Sequence, residues 1–242
     1  MKDIIFTVKS NEKIAKNTYK MSLSGDVEGI RAGQFVNFKL DGFYLRRPIS
    51  ICDITDDCLT VIYKTVGKGT EAMSKMTEGD TMLTLTGLGN GYDLSLSGDA
   101  PLLIGGGAGV PPMYLLCKKL VAKGKKCSVI LGFGSADEVF FEDEFKALGA
   151  SVTVTTVDGS YGMQGFVTNA MDKYSYTHFY TCGPEAMLKA VYDKSTTSGQ
   201  FSFEERMGCG FGACMGCSCE TKYGAKRICK DGPVLIKEEI VW

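Results

Sequence analysis

The sequence has almost no net charge: 27 Lys and Arg stand against 28 Asp and Glu, leaving −1 at pH 7. Without a global basic field, nothing in the charge balance draws the chain to nucleic acid or to acidic membranes, and neither is expected as a partner. An apolar leader is missing too. Met1–Ser10 (MKDIIFTVKS) alternates and carries charges, so no signal peptide is expected. The longest stretch free of charge, Ala100–Cys117, approaches a membrane span in length, but Pro101, Pro111, Pro112 and four glycines interrupt it. A strand, a Gly loop and a helix start fit it better. Internal repeats and low-complexity tracts are absent. Histidine occurs once, at position 178, on an apolar strand candidate, and reads as structural rather than catalytic.

What is present is glycine (30 residues) and cysteine (10 residues) in a chain of 242. That length suits two compact domains and a small appendage. It is too long, and its apolar fraction of 44% too ordinary, for a secreted disulfide scaffold. Clustered cysteines then point to metal binding in a reducing cytoplasm. The rhythm of the chain divides it into three. Across residues 1–98, Ile4–Val8, Thr18–Leu23, Phe35–Leu40, Ile49–Cys52, Cys58–Val66 and Thr81–Leu85 read as short strands between Gly, Asp and Asn turns, with one short helix at Thr70–Met76. Such spacing predicts a small antiparallel β-barrel. Across 99–200, strand candidates Leu102–Ile104, Ser128–Phe133, Val152–Val157 and His178–Thr181 alternate with helices Pro112–Lys123, Glu142–Leu148, Val167–Lys173 and Glu185–Lys194. That alternation predicts an α/β parallel sheet. Residues 201–242 form a cysteine-rich C-terminal subdomain. The fold class expected is therefore α+β multidomain.

The tail carries the sharpest signal. Cys209, Cys214, Cys217 and Cys229 follow the spacing C-x4-C-x2-C-x11-C. The first three positions match the plant-type [2Fe–2S] pattern, with a more distant fourth ligand. Four thiolates must converge on two irons while backbone N–H groups reach the sulfides, so the loop needs small residues. Gly208, Gly210, Gly212, Ala213 and Gly216 supply them. A four-Cys zinc site is the competing reading, but it prefers two C-x2-C knuckles, and only one is present. Cys219 could stand in for Cys217 or Cys229; we read it as a neighbouring thiol outside the ligand set. Cys52, Cys58, Cys117, Cys127 and Cys182 lie on apolar elements and read as small buried hydrophobes.

Two further patterns suit nucleotides. Arg46-Arg47-Pro48-Ile49-Ser50 joins two strand candidates and sets a guanidinium and a hydroxyl three residues apart, suited to a pyrophosphate and a flavin ring. Gly67-Lys68-Gly69-Thr70 then leads into the short helix, where backbone N–H groups suit phosphate oxygens. Neither segment alone identifies a ligand; their order ahead of a nucleotide-type domain gives them weight. Leu102–Pro112 is an apolar strand, a loop with Gly105, Gly106, Gly107 and Gly109, and a helix start, a junction that lets a dinucleotide approach the backbone. Cys182-Gly183-Pro184 ends the last strand of the region, where open α/β sheets bind ligands. The stretch Gly132–Asp143 holds Asp137 and Glu138 but no Arg or Lys, which favours NAD over NADP.

These sites, in this order, resemble the ferredoxin–NAD(P) reductase superfamily over the whole chain. Arg47-Pro48-Ile49-Ser50 is similar to its Arg-x-aromatic-Ser flavin motif, with Ile49 in the aromatic place and Tyr63 and Phe43 the candidates to cover the flavin. More narrowly, Gly67-Lys68-Gly69-Thr70, Asp158-Gly159-Ser160-Tyr161-Gly162, Cys209–Cys214 and Cys229-Lys230-Asp231-Gly232-Pro233-Val234 resemble the electron-transfer subunits of NAD-dependent dihydroorotate dehydrogenases, although the gap before Cys229 is shorter than theirs. The resemblance implies FAD at Arg47, Pro48, Ile49, Ser50, Ile62, Tyr63, Lys64, Gly69 and Thr70, and a [2Fe–2S] cluster on Cys209, Cys214, Cys217 and Cys229. It implies an FMN-containing catalytic subunit as partner, in a heterotetramer with two copies of each chain, serving pyrimidine synthesis. Electrons would pass from that FMN through the cluster and FAD to NAD+, with no acid–base residue in this chain. The small subunit of another NAD(P)H-linked ferredoxin oxidoreductase, and a redox-sensing iron–sulfur flavoprotein, are the alternatives.

Overall fold

A computed structural model describes residues 1–242. The first six strands are β1 (Lys2–Ala15), β2 (Thr18–Ser24), β3 (Phe35–Phe38), β4 (Arg47–Thr55), β5 (Cys58–Lys64) and β6 (Thr81–Leu88), and they close a barrel in the order β1-β2-β5-β4-β3-β6. Closure rests on β1, which runs well past the Ile4–Val8 expected of it. Its first half pairs with β6 and its second half with β2, and register shifts after Val8 and Lys13 turn the strand between partners. Alternation places Phe6, Val8, Met21, Leu23, Ile51, Leu59 and Val61 inside, each fully buried. The helix α1 (Lys68–Met73) follows β5 and starts two residues earlier than its sequence signal.

The second sheet contains β7 (Pro101–Gly106), β8 (Ser128–Phe133), β9 (Ser151–Thr156), β10 (Met163–Gln164), β11 (His178–Cys182) and β12 (Gly199–Ser202). Helices α2 (Val110–Ala122), α3 (Glu142–Ala147), α4 (Val167–Met171) and α5 (Glu185–Lys194) cover it. Near-continuous apolar runs such as Leu102-Leu103-Ile104 are buried on both faces, as a parallel sheet between helix layers requires. The order is β10-β9-β8-β7-β11-β12, all parallel, so the connections reverse direction between β7 and β11. Pro111 and Pro112 open α2, where the absent N–H groups have no helical partner to lose.

The tail does not stand apart. A hairpin of β13 (Ser218–Thr221) and β14 (Gly224–Arg227) is followed by β15 (Val234–Ile236), which joins the large sheet antiparallel to β12. β12 itself runs across residue 200, where the second and third regions meet. Asn90, just past the barrel, fixes the returning chain: its amide donates to the Val234 carbonyl at 2.7 Å and accepts from the Val234 N–H at 3.1 Å. Cys217 and Cys229 are buried in one apolar cluster with Phe35, Leu85 and Leu88 of the barrel and Phe201 of the sheet. A second apolar core runs unbroken from barrel residues such as Phe38 and Ile51 to Leu103, Leu116 and Tyr180. Lys118 of α2 reinforces that junction by reaching both carboxylate oxygens of Asp53 on β4, at 2.8 and 3.0 Å.

Candidate functional site

Where β4, β5 and the tail meet, a cavity of about 360 Å³ opens. Arg47, Pro48, Ile49 and Ser50 line it from β4, Ile62, Tyr63 and Lys64 from β5, and Thr70 from α1. Gly69 lies behind Arg47, whose guanidinium occupies the space a Cβ there would take. Thr70 orders this corner: its hydroxyl donates to the Gly67 carbonyl at 3.0 Å and accepts from the Val66 N–H at 3.0 Å. Of the two aromatic candidates, Tyr63 faces the cavity while its ring stacks on Tyr19 and its hydroxyl donates to Asn11 at 2.9 Å. Phe43 does not line the cavity; it lies under the Arg47 guanidinium, 4.9 Å from ring centre to Cζ. The opposite wall escaped sequence reasoning. Phe203, Glu204, Glu205, Met207 and Pro233 come from the tail, and Phe35 from β3. No local motif marks Phe203–Met207; the available signal was their position just ahead of Cys209. Glu204 stays exposed, while the partial desolvation of its carboxyl by this wall pushes its pKa up from the ordinary value.

A larger cavity, about 500 Å³, sits at the C-terminal ends of the parallel strands. Gly106 and Gly107 line it after β7, Pro184 and Met187 after β11, and Phe166, Val167 and Thr168 at the start of α4. Gly105, Gly109, Cys182 and Gly183 stand behind this surface and let the two loops touch. Gly105 pairs with Cys182 in register, and a Cβ on Gly109 would stand 2.5 Å from the Gly183 amide nitrogen. This is the switch point of the strand order, where open α/β sheets place a dinucleotide. Lys64 lines both cavities and pairs with Glu138 at 3.2 Å. The acidic stretch after β8 is therefore not free of cations, as its own sequence suggested: Lys64 and Lys16 arrive from the barrel, the latter 3.0 Å from Asp137. Both are already paired with carboxylates.

His178 is buried beside Gln200, 3.3 Å from ring nitrogen to amide nitrogen, and takes no part in either cavity.

The cysteine loop lies beyond the tail wall of the first cavity. Cys209 Sγ accepts backbone N–H groups from Phe211, Ala213 and Cys214 at 3.5, 3.2 and 3.4 Å. Burial alone would raise its thiol, but these donors outweigh it and bring the pKa down to about 6. Cys217 Sγ accepts the Cys229 N–H at 3.4 Å. Backbone N–H groups link the four cysteines in two pairs, Cys214 N–H to Cys209 Sγ at 3.4 Å and Cys229 N–H to Cys217 Sγ at 3.4 Å. Gly210 and Gly212 take positive φ of 79° and 92°, the left-handed turns that a loop this tight requires. Asn37 of β3 holds the loop to the barrel through the Cys209 carbonyl at 3.4 Å. Cys219 faces elsewhere, on a separate cavity lined by Glu220 and Trp242. None of the helices is long and apolar enough to cross a membrane.

A flavin-type barrel, a dinucleotide sheet and a thiolate loop packed against their junction define an NAD-linked iron–sulfur oxidoreductase. Comparison with known proteins agrees. The family described as the iron–sulfur cluster binding domain of dihydroorotate dehydrogenase B matches residues 204–241, and the oxidoreductase NAD-binding domain matches residues 103–193. The dihydroorotate dehydrogenase B (NAD(+)) electron transfer subunit of Fusobacterium nucleatum is 45% identical, over 97% of this chain and 96% of that protein. Its counterpart from Bacillus pumilus is 44% identical, over 99% and 98%. Among solved structures, a chain of an NADH-dependent reduced ferredoxin–NADP oxidoreductase superposes with a TM-score of 0.89 at 30% identity, covering 98% of this chain and 90% of that one. The chain belongs to the family of dihydroorotate dehydrogenase B (NAD(+)) electron transfer subunits.

Proposed function

We propose that this chain carries electrons between NAD and a catalytic subunit that oxidises dihydroorotate, in pyrimidine synthesis, using FAD and a [2Fe–2S] cluster. The observation that carries the reading is contiguity. Lys64 is shared by the nicotinamide and flavin cavities, and the flavin cavity's far wall, Phe203–Met207, runs directly into Cys209. When bound, a flavin supplies two-electron exchange with nicotinamide and one-electron exchange with a cluster.

The chain's own work is to hold, align and seal. Arg47 brings a fixed positive charge for a pyrophosphate; Pro48, Ile49 and Ile62 offer apolar walls; Ser50 and Lys64 offer donors; Thr70 orders the Gly67 turn beside them; and Gly69 leaves room for Arg47. Gly106 and Gly107 present bare backbone to a dinucleotide beside Pro184, while Gly105, Gly109, Cys182 and Gly183 hold the two loops together from behind. Cys209, Cys214, Cys217 and Cys229 serve as ligands, and their backbone-linked arrangement in two pairs suits two irons with two thiolates each. The partner would be an FMN-containing catalytic chain in a two-plus-two assembly. Residues 1–98, 99–200 and 201–242 would serve FAD, NAD and the cluster respectively.

Anaerobically purified protein should show flavin and iron–sulfur absorbance, with about two irons and two sulfides per chain. NADH should bleach the flavin near-stoichiometrically. A colourless protein that binds zinc would overturn the reading. The alternative of a ferredoxin-type oxidoreductase subunit draws support from the 0.89 superposition, at lower identity. Co-purification with an FMN protein that turns over dihydroorotate separates the two.

A further inference from the structure

Arg227 closes β14 two residues before Cys229, and its guanidinium joins the two halves of the cysteine set. Nη1 donates to the Gly212 carbonyl at 3.0 Å, between Cys209 and Cys214. Nε and Nη2 bind the two carboxylate oxygens of Asp231 at 2.9 and 3.2 Å, beyond Cys229. The backbone closes the same knot: the Arg227 N–H donates to Asp231 Oδ2 at 3.0 Å, and the Arg227 carbonyl accepts from Asp231 N–H at 2.7 Å. The guanidinium thus stands at the cysteine loop itself, bonded to its backbone between Cys209 and Cys214 and carried two residues before Cys229. Lys230 is the other cation of this loop, its stem packed over Gly212.

We propose that Arg227 is the electrostatic positioning residue of the cysteine site: it clamps the two ligand pairs together and biases the cluster they hold toward its reduced form. This rests on the iron–sulfur reading above. A cluster gains one negative charge on reduction, and nearby net charge and hydrogen bonding set its potential. A guanidinium remains charged at every working pH. Its side chain is about a quarter exposed (26%), so water screens the effect without removing it.

The test is an EPR-monitored redox titration of the holoprotein and three variants. Arg227→Gln should lower the ratio of reduced to oxidised cluster, at the wild-type midpoint, by about three- to tenfold, tenfold being 59 mV for one electron. Arg227→Lys keeps the charge and should stay within about twofold of wild type. Asp231→Asn removes the counter-charge and should move the ratio the opposite way. A clamp acting through structure alone would shift Arg227→Gln and Asp231→Asn in the same direction, and that result overturns the proposal. So does an unchanged potential in Arg227→Gln with full iron content. Should Arg227→Gln hold no cluster, the sign of the Asp231→Asn shift decides. A wild-type protein without iron, sulfide or a signal on reduction would instead sink the cluster reading itself.

Discussion

Gly109 offers the sharpest test of how the nicotinamide loops are held. Its φ is −83°, a value any residue adopts, so conformational freedom is not why glycine stands there. Space is the reason. A Cβ would lie 2.5 Å from the Gly183 amide nitrogen and closer still to the Cys182 carbonyl, whereas ordinary contact begins at 3.4 Å. Gly109→Ala must therefore separate the β7 and β11 loops by about 0.9 Å or more, and both partners are backbone atoms that cannot rotate away. Overpacking of this kind costs about 1–3 kcal/mol of stability. A displacement near 1 Å at a positioned site costs about 100-fold in rate. NADH-driven reduction of ferricyanide by the FAD-loaded protein should lose about that factor in kcat/KM, with flavin content retained. Gly124→Ala is the control. Gly124 has φ 75° with open space around it at the end of α2, so alanine strains the backbone by about 1–2 kcal/mol and displaces nothing. It should lower stability and leave kcat/KM unchanged. Gly109→Ala keeping kcat/KM within twofold would mean that the two loops do not share one rigid contact.

Two further outcomes follow from the tail and the core. Cys219→Ser should keep full iron content, since Cys219 lines a cavity apart from the paired thiols, while Cys214→Ser and Cys229→Ser should each lose it; iron loss on Cys219→Ser would place that sulfur among the ligands. Burial holds the His178 imidazole below its ordinary value, against weaker upward pulls from Glu238 and Asp93. The unfolded ring gains its proton near pH 6.5 and the folded ring only lower, so this contribution to stability is present above about 6.5 and lost as pH falls below it. His178→Gln should flatten the fall in Tm between roughly pH 6.5 and 5; an equally steep fall would assign the acid sensitivity to other groups.

The identity of most elements was legible because their causes are local. Ser128–Phe133 and Glu185–Lys194 match their sequence signals residue for residue, since apolar runs and helix periodicity act within a few positions. β1 was read at less than half its length, because its later half is a curved, bulged strand whose buried face changes. β12 and β15 were not anticipated at all. Each is short, and β15 is a strand only because β12 offers it an edge. The acidic stretch after β8 was read as cation-free because Lys16 and Lys64 lie more than sixty positions away in the chain.

By itself the sequence determined which groups are on hand: four cysteines at fixed spacing with small residues between them, an Arg-Pro-Ile-Ser strand entry, and glycine where two loops must touch. Such features are set by bond lengths and sterics over a few residues. Tertiary structure alone decided that Phe203–Met207 would wall the cavity that Arg47 opens, that Lys64 would stand between two ligand cavities, and that Arg227 would bridge Gly212 to Asp231. Those neighbours meet only after burial of shared apolar surface has driven barrel, sheet and tail together, and no pattern within a single segment encodes that closure.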